Sequence, residues 1–529
     1  MKKGLKIGIG VGCAVLVLGA AGAAIALTNN PVKDYVYDNA RSDKYLGIEF
    51  GADGKATRLG AAEGLEAGIN GEKNTFDTAP VYRKIQTYTS NGEKIWKTAD
   101  FYFKHTVSGT VGSADFKERF YVCEKKLDDT WSLPDAFKDA KGENRGYFTL
   151  GCYKASLSED GKKLFSKTGD YPATYISMEK SRELAKANKA TVAELRKVDA
   201  AEILAMIEFG KRDLKEAMAG VTNYQGFDSN IDSEINDVTG SATVLRFAYT
   251  DTYDNLIKSC VPGFGIQLEN DNDNEVFANR TIKDVKIANY VKSSGTATSA
   301  SASSAAAGVR CAEITLDKAI DMKAYMAWCA TFGDGTSAEV CSNYVKNGLA
   351  DNLKGSSHEL TEINGYKLPE GMRPFSYRGL ENLWGVTYEW ADGAAKVVQD
   401  SATVSKQKAV LATCLDPDMY GEAVTGATVL PDYKDAYTLT ETAGDVGAFQ
   451  SDNENASGYL VMGQKVDKGY YNSTSNIVGK AVATDEKLYV TCVYTGSNWF
   501  SADGALVRNA TDSTYAAISV GARLSFDIR

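Results

Sequence analysis

The stretch FSYRGLENLWGVTYEWADG, residues 375–393, constrains this chain more than any other, because it sets Trp384, Gly385, Glu389 and Trp390 close together. Each indole carries roughly 150–250 Å² of surface that is best packed away from water. Two such rings beside a glycine call for a core supplied by the rest of the chain. The stretch therefore speaks to fold rather than to chemistry.

Strand signals come first. From Val81 to Leu157, aromatic and β-branched residues recur in the short runs ADFYFKHTVSG, KERFYVCEKK and RGYFTLGCYKASL, separated by Gly, Asp and Lys turns,. Ser177 caps a predicted helix that runs to about Ala190. Asp199 and Glu202 form a capping-box pair that opens EILAMIEFGKRDLKEAMAG, closed by Gly220, and Ile203, Leu204, Ile207, Leu214 and Met218 keep helical spacing,. Glu202, Glu208 and Glu216 on this helix read as a solvated face. A third helix is predicted over DKAIDMKAYMAWCATFG, residues 317–333, and the low-complexity SSGTATSASASSAAAG at 293–308 reads as a loop or linker,. Beyond residue 393 short strands return. The expected class is α+β, with strands dominant and a few helices among them.

Composition narrows function. With 529 residues, 43% of them apolar, the chain can build large cores, and a net charge of −10 argues against a phosphate-neutralising nucleic-acid binder,. Only His105 and His358 are present, which excludes histidine-rich metal clusters,. After Cys13 come Cys123, Cys152, Cys260, Cys311, Cys329, Cys341, Cys414 and Cys492, with no C-x-x-C pair, so zinc ribbons and thioredoxin-like sites are not expected,. Outside the cytoplasm this even number would permit disulfides. The acidic runs ENDNDNE at 269–275 and QSDNENASG at 450–458 read as solvated loops rather than calcium sites,. No metal and no cofactor is expected.

Lys2, Lys3 and Lys6 precede an uncharged run from Ile7 to Leu27, long enough to cross a bilayer; Ala24-Ile25-Ala26 also fits a signal-peptidase site,. Either a transmembrane anchor or a cleaved signal over residues 1–29 places the remainder outside the cytoplasm. Residues 30–79 read as a stalk or small strand region, with a strand around Tyr45 to Phe50.

The 375–393 stretch resembles the central signature of the C-type-lectin-like fold shared by formylglycine-generating enzymes and the variable proteins of diversity-generating retroelements, phage tropism determinants included. Three other stretches fall in the same order. WSLPDAFKDAKGENRGYFTLGCYKASL looks like the opening strand and turn, EILAMIEFGKRDLKEAMAG like the long helix, and GSNWFSADGALVRNATDSTYAAISVGARL like the closing segment. The resemblance implies a C-type-lectin-like domain over 80–529 with insertions near 223–315 and 394–480. It also implies a scaffold in which Trp384 and Trp390 fill the core from a central strand.

Between Asn498-Trp499 and Gly521-Ala522-Arg523-Leu524 the closing segment has no period, which suits a displayed surface. The resemblance makes it a variable ligand-contacting face. The expected contacts are Tyr494, Ser497, Phe500, Ser501, Asp503, Val507, Arg508, Asn509, Thr511, Asp512 and Tyr515. The expected scaffold is Trp384, Trp390, Asn498, Trp499, Leu506 and Arg523. Adenine-directed mutagenesis of Asn-type codons, the diversification such families use, cannot yield Lys, Glu, Gln, Met or Trp, and Phe500 to Ser519 contains none of these.

The expectation is thus an exported, membrane-anchored or secreted surface protein that binds a protein or glycan on another cell or particle. One alternative is a structural surface or pilus-type subunit. Another is a formylglycine-generating-type oxidase, but those enzymes use a closely spaced late cysteine pair, and here the late cysteines are Cys414 and Cys492.

Overall fold

A computed structural model describes residues 41–222, 228–248, 260–270, 275–290, 309–332, 339–399, 408–422, 433–438, 444–445, 460, 474–475, 488–496, 506, 508–511 and 513–526. The N-terminal segment, the 293–308 loop and most of the 496–507 connection lie outside these residues. Among the described residues no helix is long and apolar enough to cross a membrane.

The first sheet follows from period-two patterning. In Leu46–Gly51 the side chains of Leu46, Ile48 and Phe50 are fully buried, and the strand lies between Ala56–Gly60 and Lys117–Cys123, with Tyr102–Ser108 outside the latter. Glu49 stands opposite Arg119 and takes its guanidinium at 2.6 Å. Leu46–Gly51 and Ala56–Gly60 are therefore two strands of a four-stranded sheet. They share one core with Trp96, Phe120, Phe148, Ile203, Leu204, Ile207 and Trp384.

Helix α1, Met178–Ala187, starts where the sequence places it, with the Ser177 side chain accepting from Lys180 N–H at 3.1 Å. Helix α2 is Leu195–Phe209. It ends eleven residues before Gly220, because Gly210 takes the left-handed conformation (φ 64°, ψ 37°) and its N–H closes onto Met206 O,. Leu214 and Met218 keep helical spacing only because the turn after Gly210 returns both to the same core. Helix α3, Met322–Cys329, is shorter than expected: residues through Asp321 belong to the strand Val309–Asp321, and the Asp321 side chain caps the helix.

The α+β, C-type-lectin-like expectation is corrected by this architecture. Of the described residues 41% are in strands and 16% are helical, with three α-helices, and the strands form many small antiparallel sheets. The chain is nearly all-β. Two of the helices that suggested otherwise are short because a glycine and a strand end truncate them.

Strands from Asp228 to Tyr344 build a six-stranded sheet with its own core of Leu245, Phe247, Ile266, Leu268, Ile314 and Tyr325, reaching well past residue 315. The sheet that matters for the site runs in the order Lys434–Thr438, Lys408–Thr413, Tyr388–Gln399, Leu488–Thr495, Arg508–Thr511. Tyr388–Gln399 crosses residue 394, so the expected second insertion begins inside a central strand.

Candidate ligand-binding face

Tyr388–Gln399 organises the C-terminal region through an interrupted register. One edge pairs with Leu488–Thr495, but the ladder shifts between Ala391 and Ala395, where Gly393 has φ 68°. On the other edge Ala394–Gln399 take Lys408–Thr413, while Tyr388–Trp390 take Val520–Ala522 in parallel,. Thr495 stands opposite Arg508 and Cys492 opposite Thr511. Leu488–Thr495, Arg508–Thr511 and Val520–Ala522 thus all belong to one sheet.

Two buried ionic clusters involve residues of this sheet. Arg523, with no exposed surface, donates to Glu389 at 3.0 and 2.8 Å, to the carbonyls of Gly151 and Cys152 at 2.9 and 3.0 Å, and to those of Glu381 and Asn382 at 2.9 and 3.1 Å. Lys154 donates to Glu389 at 2.5 Å and to Thr387 O at 2.9 Å. Burial alone would push the Glu389 carboxyl up, but Arg523 and Lys154 outweigh it and hold it below the usual range,. Burial pushes Lys154 down to about 8. Nearby, the enclosed Glu381 carboxyl accepts from Gly348 N–H at 2.9 Å, and burial pushes it up to about 8.

The second cluster joins the strand Arg508–Thr511 to α2. Arg508 is 3% exposed and donates to the carboxylates of Asp199 and Glu202 and to the Thr495 hydroxyl. Asp199 also accepts from Leu460 N–H at 2.8 Å. Burial pushes both carboxyls up, Glu202 to about 8, against the lowering influence of Arg508. Two acids facing one guanidinium share its charge, so full ionisation of both leaves a buried excess of negative charge.

Further ties hold the return of the chain. Ser513 donates to Glu179 at 2.8 Å, Tyr175 N–H to Ala517 O at 3.0 Å, and Tyr388 N–H to Ser519 O at 2.8 Å. Between these ties Thr514 and Tyr515 face solvent, Tyr515 with 40% of its surface exposed.

The expected scaffold residues that are described lie inside. Trp384 and Trp390 are fully buried, and their indoles donate to Met218 O at 3.0 Å and Ile176 O at 2.8 Å. Trp384 sits in the bend before the strand, whereas Trp390 is on it. Leu506 and Arg523 are also buried. Among the expected contacts, Tyr515 is exposed, Thr511 is half-buried, and Tyr494 and Asn509 stand opposite each other in register. Ser497, Asn498, Trp499, Phe500, Ser501, Asp503, Val507 and Asp512 lie outside the described residues.

Arg508 departs from its expected exposed contact role: it is a buried anchor, because its strand pairing directs it at two carboxylates of α2. The solvated-face reading of α2 is corrected with it. Glu202 and Glu208 are fully buried, Glu208 holding Arg378 at 2.6 and 2.9 Å, and only Glu216, beyond the helix, is exposed. The run AAEILAMI carried the missed signal, since a helix apolar on every side leaves its one acid no solvated face,.

The oxidase alternative needs paired late cysteines. Cys492 stands opposite Ala395, which stands opposite Ala412 on the next strand. Two ladder spacings of about 4.8 Å thus separate the Cys492 strand from the one leading to Cys414, more than a disulfide spans. Cys123, Cys152, Cys260, Cys311, Cys329 and Cys414 are all buried.

No family model matches the chain, and no curated protein matches it in sequence.

Proposed function

We propose that this chain is an exported surface protein that binds another macromolecule through the segment between Tyr494 and Ser519, in the manner of the variable proteins of diversity-generating retroelements. The observation that supports this most is the division of labour within the segment. Leu506, Arg508 and Ser513 are buried and tied to the body of the protein, whereas Thr514 and Tyr515 project into solvent. A face that changes its contacts must draw its backbone geometry from residues that do not contact the ligand. Tyr515 and Phe500 are the energetic anchors of this reading, since aromatic side chains bring large contact area with few rotors.

Binding of the immobilised full chain to intact cells and to arrayed surface glycans and proteins tests the proposal. Phe500→Ala with Tyr515→Ala should abolish capture while the circular dichroism stays that of the parent. Full retention of binding by this pair would remove the site assignment, and failure of the parent to capture any target would remove the function.

A further inference from the structure

The hairpin of Gln86–Ser90 and Glu93–Ala99 is closed by Asn91 and Gly92, with φ 52° and 80°, the paired positive values of a type I′ turn,. Its second strand is the middle of a three-stranded sheet and its first is an outer strand. Lys94 shows which backbone groups the outer strand leaves over. Its N–H goes to Ser166 O and its C=O takes Cys152 N–H, both at 2.9 Å, so it turns both groups away from Thr89, which stands opposite it. In an antiparallel ladder Thr89 and, two residues away, Thr87 therefore point N–H and C=O outward. Both residues are exposed, and among the described residues neither has a hydrogen-bond partner beyond the hairpin.

This edge lacks the usual guards. An unpaired strand edge is a template for another strand, and proteins normally blunt it with charge, proline or a bulge. In the other sheets the outer strands of at least this length, Ala56–Gly60, Tyr102–Ser108, Ser241–Ala248 and Lys434–Thr438, each carry a charge, as Arg58, Lys104, Arg246 and Lys434. QTYTS has neither charge nor proline, and its register with the next strand runs without a bulge. The far edge of the same sheet is covered: on Tyr147–Gly151 the carbonyls of Thr149 and Gly151 accept from the Ser525 hydroxyl and the Arg523 guanidinium, each at 2.9 Å.

We propose that Gln86–Ser90 is a dimerisation edge, pairing antiparallel about a two-fold axis at Tyr88 with the same strand of a second copy of this chain. The strand is complementary to itself in that register. Thr87 meets Thr89 of the second copy and Thr89 meets its Thr87, and these are the residues whose backbone groups face outward, so each exchanges N–H and C=O with its counterpart. Gln86 meets Ser90 with no charge set against charge, and paired threonines are favourable cross-strand neighbours. In a chain of net charge −10 a neutral strip is where two copies approach with least repulsion,. Because Arg523 and Ser525 occupy the far edge, pairing closes at two copies instead of running on into a fibre. One strand pair is smaller than a standard interface, so the dimer forms reversibly with concentration.

Multi-angle light scattering of the full chain in a mild detergent, over roughly 1–100 µM, tests the assignment. The protein mass should rise from that of one chain toward that of two. Thr87→Glu with Thr89→Glu sets like charges opposite each other across the axis and should weaken the dimer about tenfold or more, whereas Thr87→Lys with Thr89→Glu sets opposite charges there and should keep it. Both pairs alter exposed side chains, so their circular dichroism should match the parent. Mild oxidation of Tyr88→Cys should link two copies of the Ile85–Lys94 tryptic peptide, and Thr57→Cys, exposed on the outer strand Ala56–Gly60, should not link its own. Tyr515→Ala should dimerise as the parent does, which separates this edge from the C-terminal face. A single-chain mass at the highest concentration, masses beyond two chains, survival of the dimer in the double glutamate variant, its loss in the lysine–glutamate variant or in Tyr515→Ala, or linking of Thr57→Cys as readily as Tyr88→Cys would each overturn the proposal.

Discussion

Replacing Arg508 by methionine tests whether a residue of the proposed binding segment is an internal anchor. Methionine keeps much of the length and apolar volume, so the main loss is the cation rather than packing. Asp199 and Glu202 then remain buried, with side chains at most 1% exposed and no opposing guanidinium. Removing one partner from a buried ion pair costs about 3–5 kcal/mol, a large part of the roughly 5–15 kcal/mol that holds a domain folded.

The pH dependence identifies the cause. Burial already pushes Glu202 up to about 8 with Arg508 in place, and loss of the cation moves both carboxyls higher. A carboxyl raised in the folded state binds a proton on folding, so its stability contribution is complete below its ordinary value and is lost as pH rises through the folded one. The penalty of Arg508→Met should therefore be smallest near pH 5 and largest above pH 8. Adding Asp199→Asn and Glu202→Gln should restore stability to within about 1–2 kcal/mol, because neutral replacement of a whole buried cluster removes the stranded charge. Urea unfolding followed by tryptophan fluorescence at pH 5, 7 and 9 reads the effect. A variant within about 0.5 kcal/mol of the parent at pH 7 would refute the anchor role, since that is the range of ordinary surface changes. An equal loss at all three pH values would assign the cost to packing instead of charge.

Three further outcomes follow from the same geometry. The parent protein should lose stability between pH 6.5 and pH 8, by roughly 1–2 kcal/mol for each of Glu202 and Glu381, whose folded values near 8 titrate at the top of that window,; His358 and Lys154, both pushed down by burial, act in the opposite sense but by less than about 0.5 kcal/mol each over this interval, so the net change is a loss,. A rise of the urea midpoint across this interval would contradict the burial of these acids. Gly385→Ala should cost about 1–3 kcal/mol, because Gly385 has φ 81° and an added Cβ would lie 2.7 Å from Val221 O,; unchanged thermal unfolding would show that the bend before Tyr388–Gln399 can relax. Tyr515→Ala should change stability by less than about 0.5 kcal/mol while abolishing target capture, and a large loss of stability would place Tyr515 with the anchors.

Local features were legible in the sequence because their causes are local. The alternation of Leu46, Ile48 and Phe50 gives a half-buried strand whatever its partner, and Ser177 caps α1 with its own side chain. The length of α2 was less legible. Gly210 and Gly220 are both suitable helix ends, and spacing alone cannot choose between them when Leu214 and Met218 return to the same core by another route. That ambiguity shifted the expected balance toward helix. The strands between Asp228 and Tyr344, which tip the class to nearly all-β, pair across long gaps that no short pattern encodes.

The buried ionic clusters were illegible for the same physical reason. Asp199 and Glu202 meet Arg508 from 309 and 306 positions away, and Glu389 meets Arg523 from 134. Within the aperiodic segment Arg508 and Tyr515 look alike, each a large side chain capable of binding a partner. Burial separates them: a guanidinium is stable inside only where acids are waiting, and α2 provides two, whereas an aromatic ring with no cavity to fill remains outside,. Exposed and buried residues are thus interleaved along one stretch rather than divided between motif and loop. A face built in this way can change Tyr515 at little cost to the fold, but it cannot change Arg508 without stranding the carboxylates of the helix below.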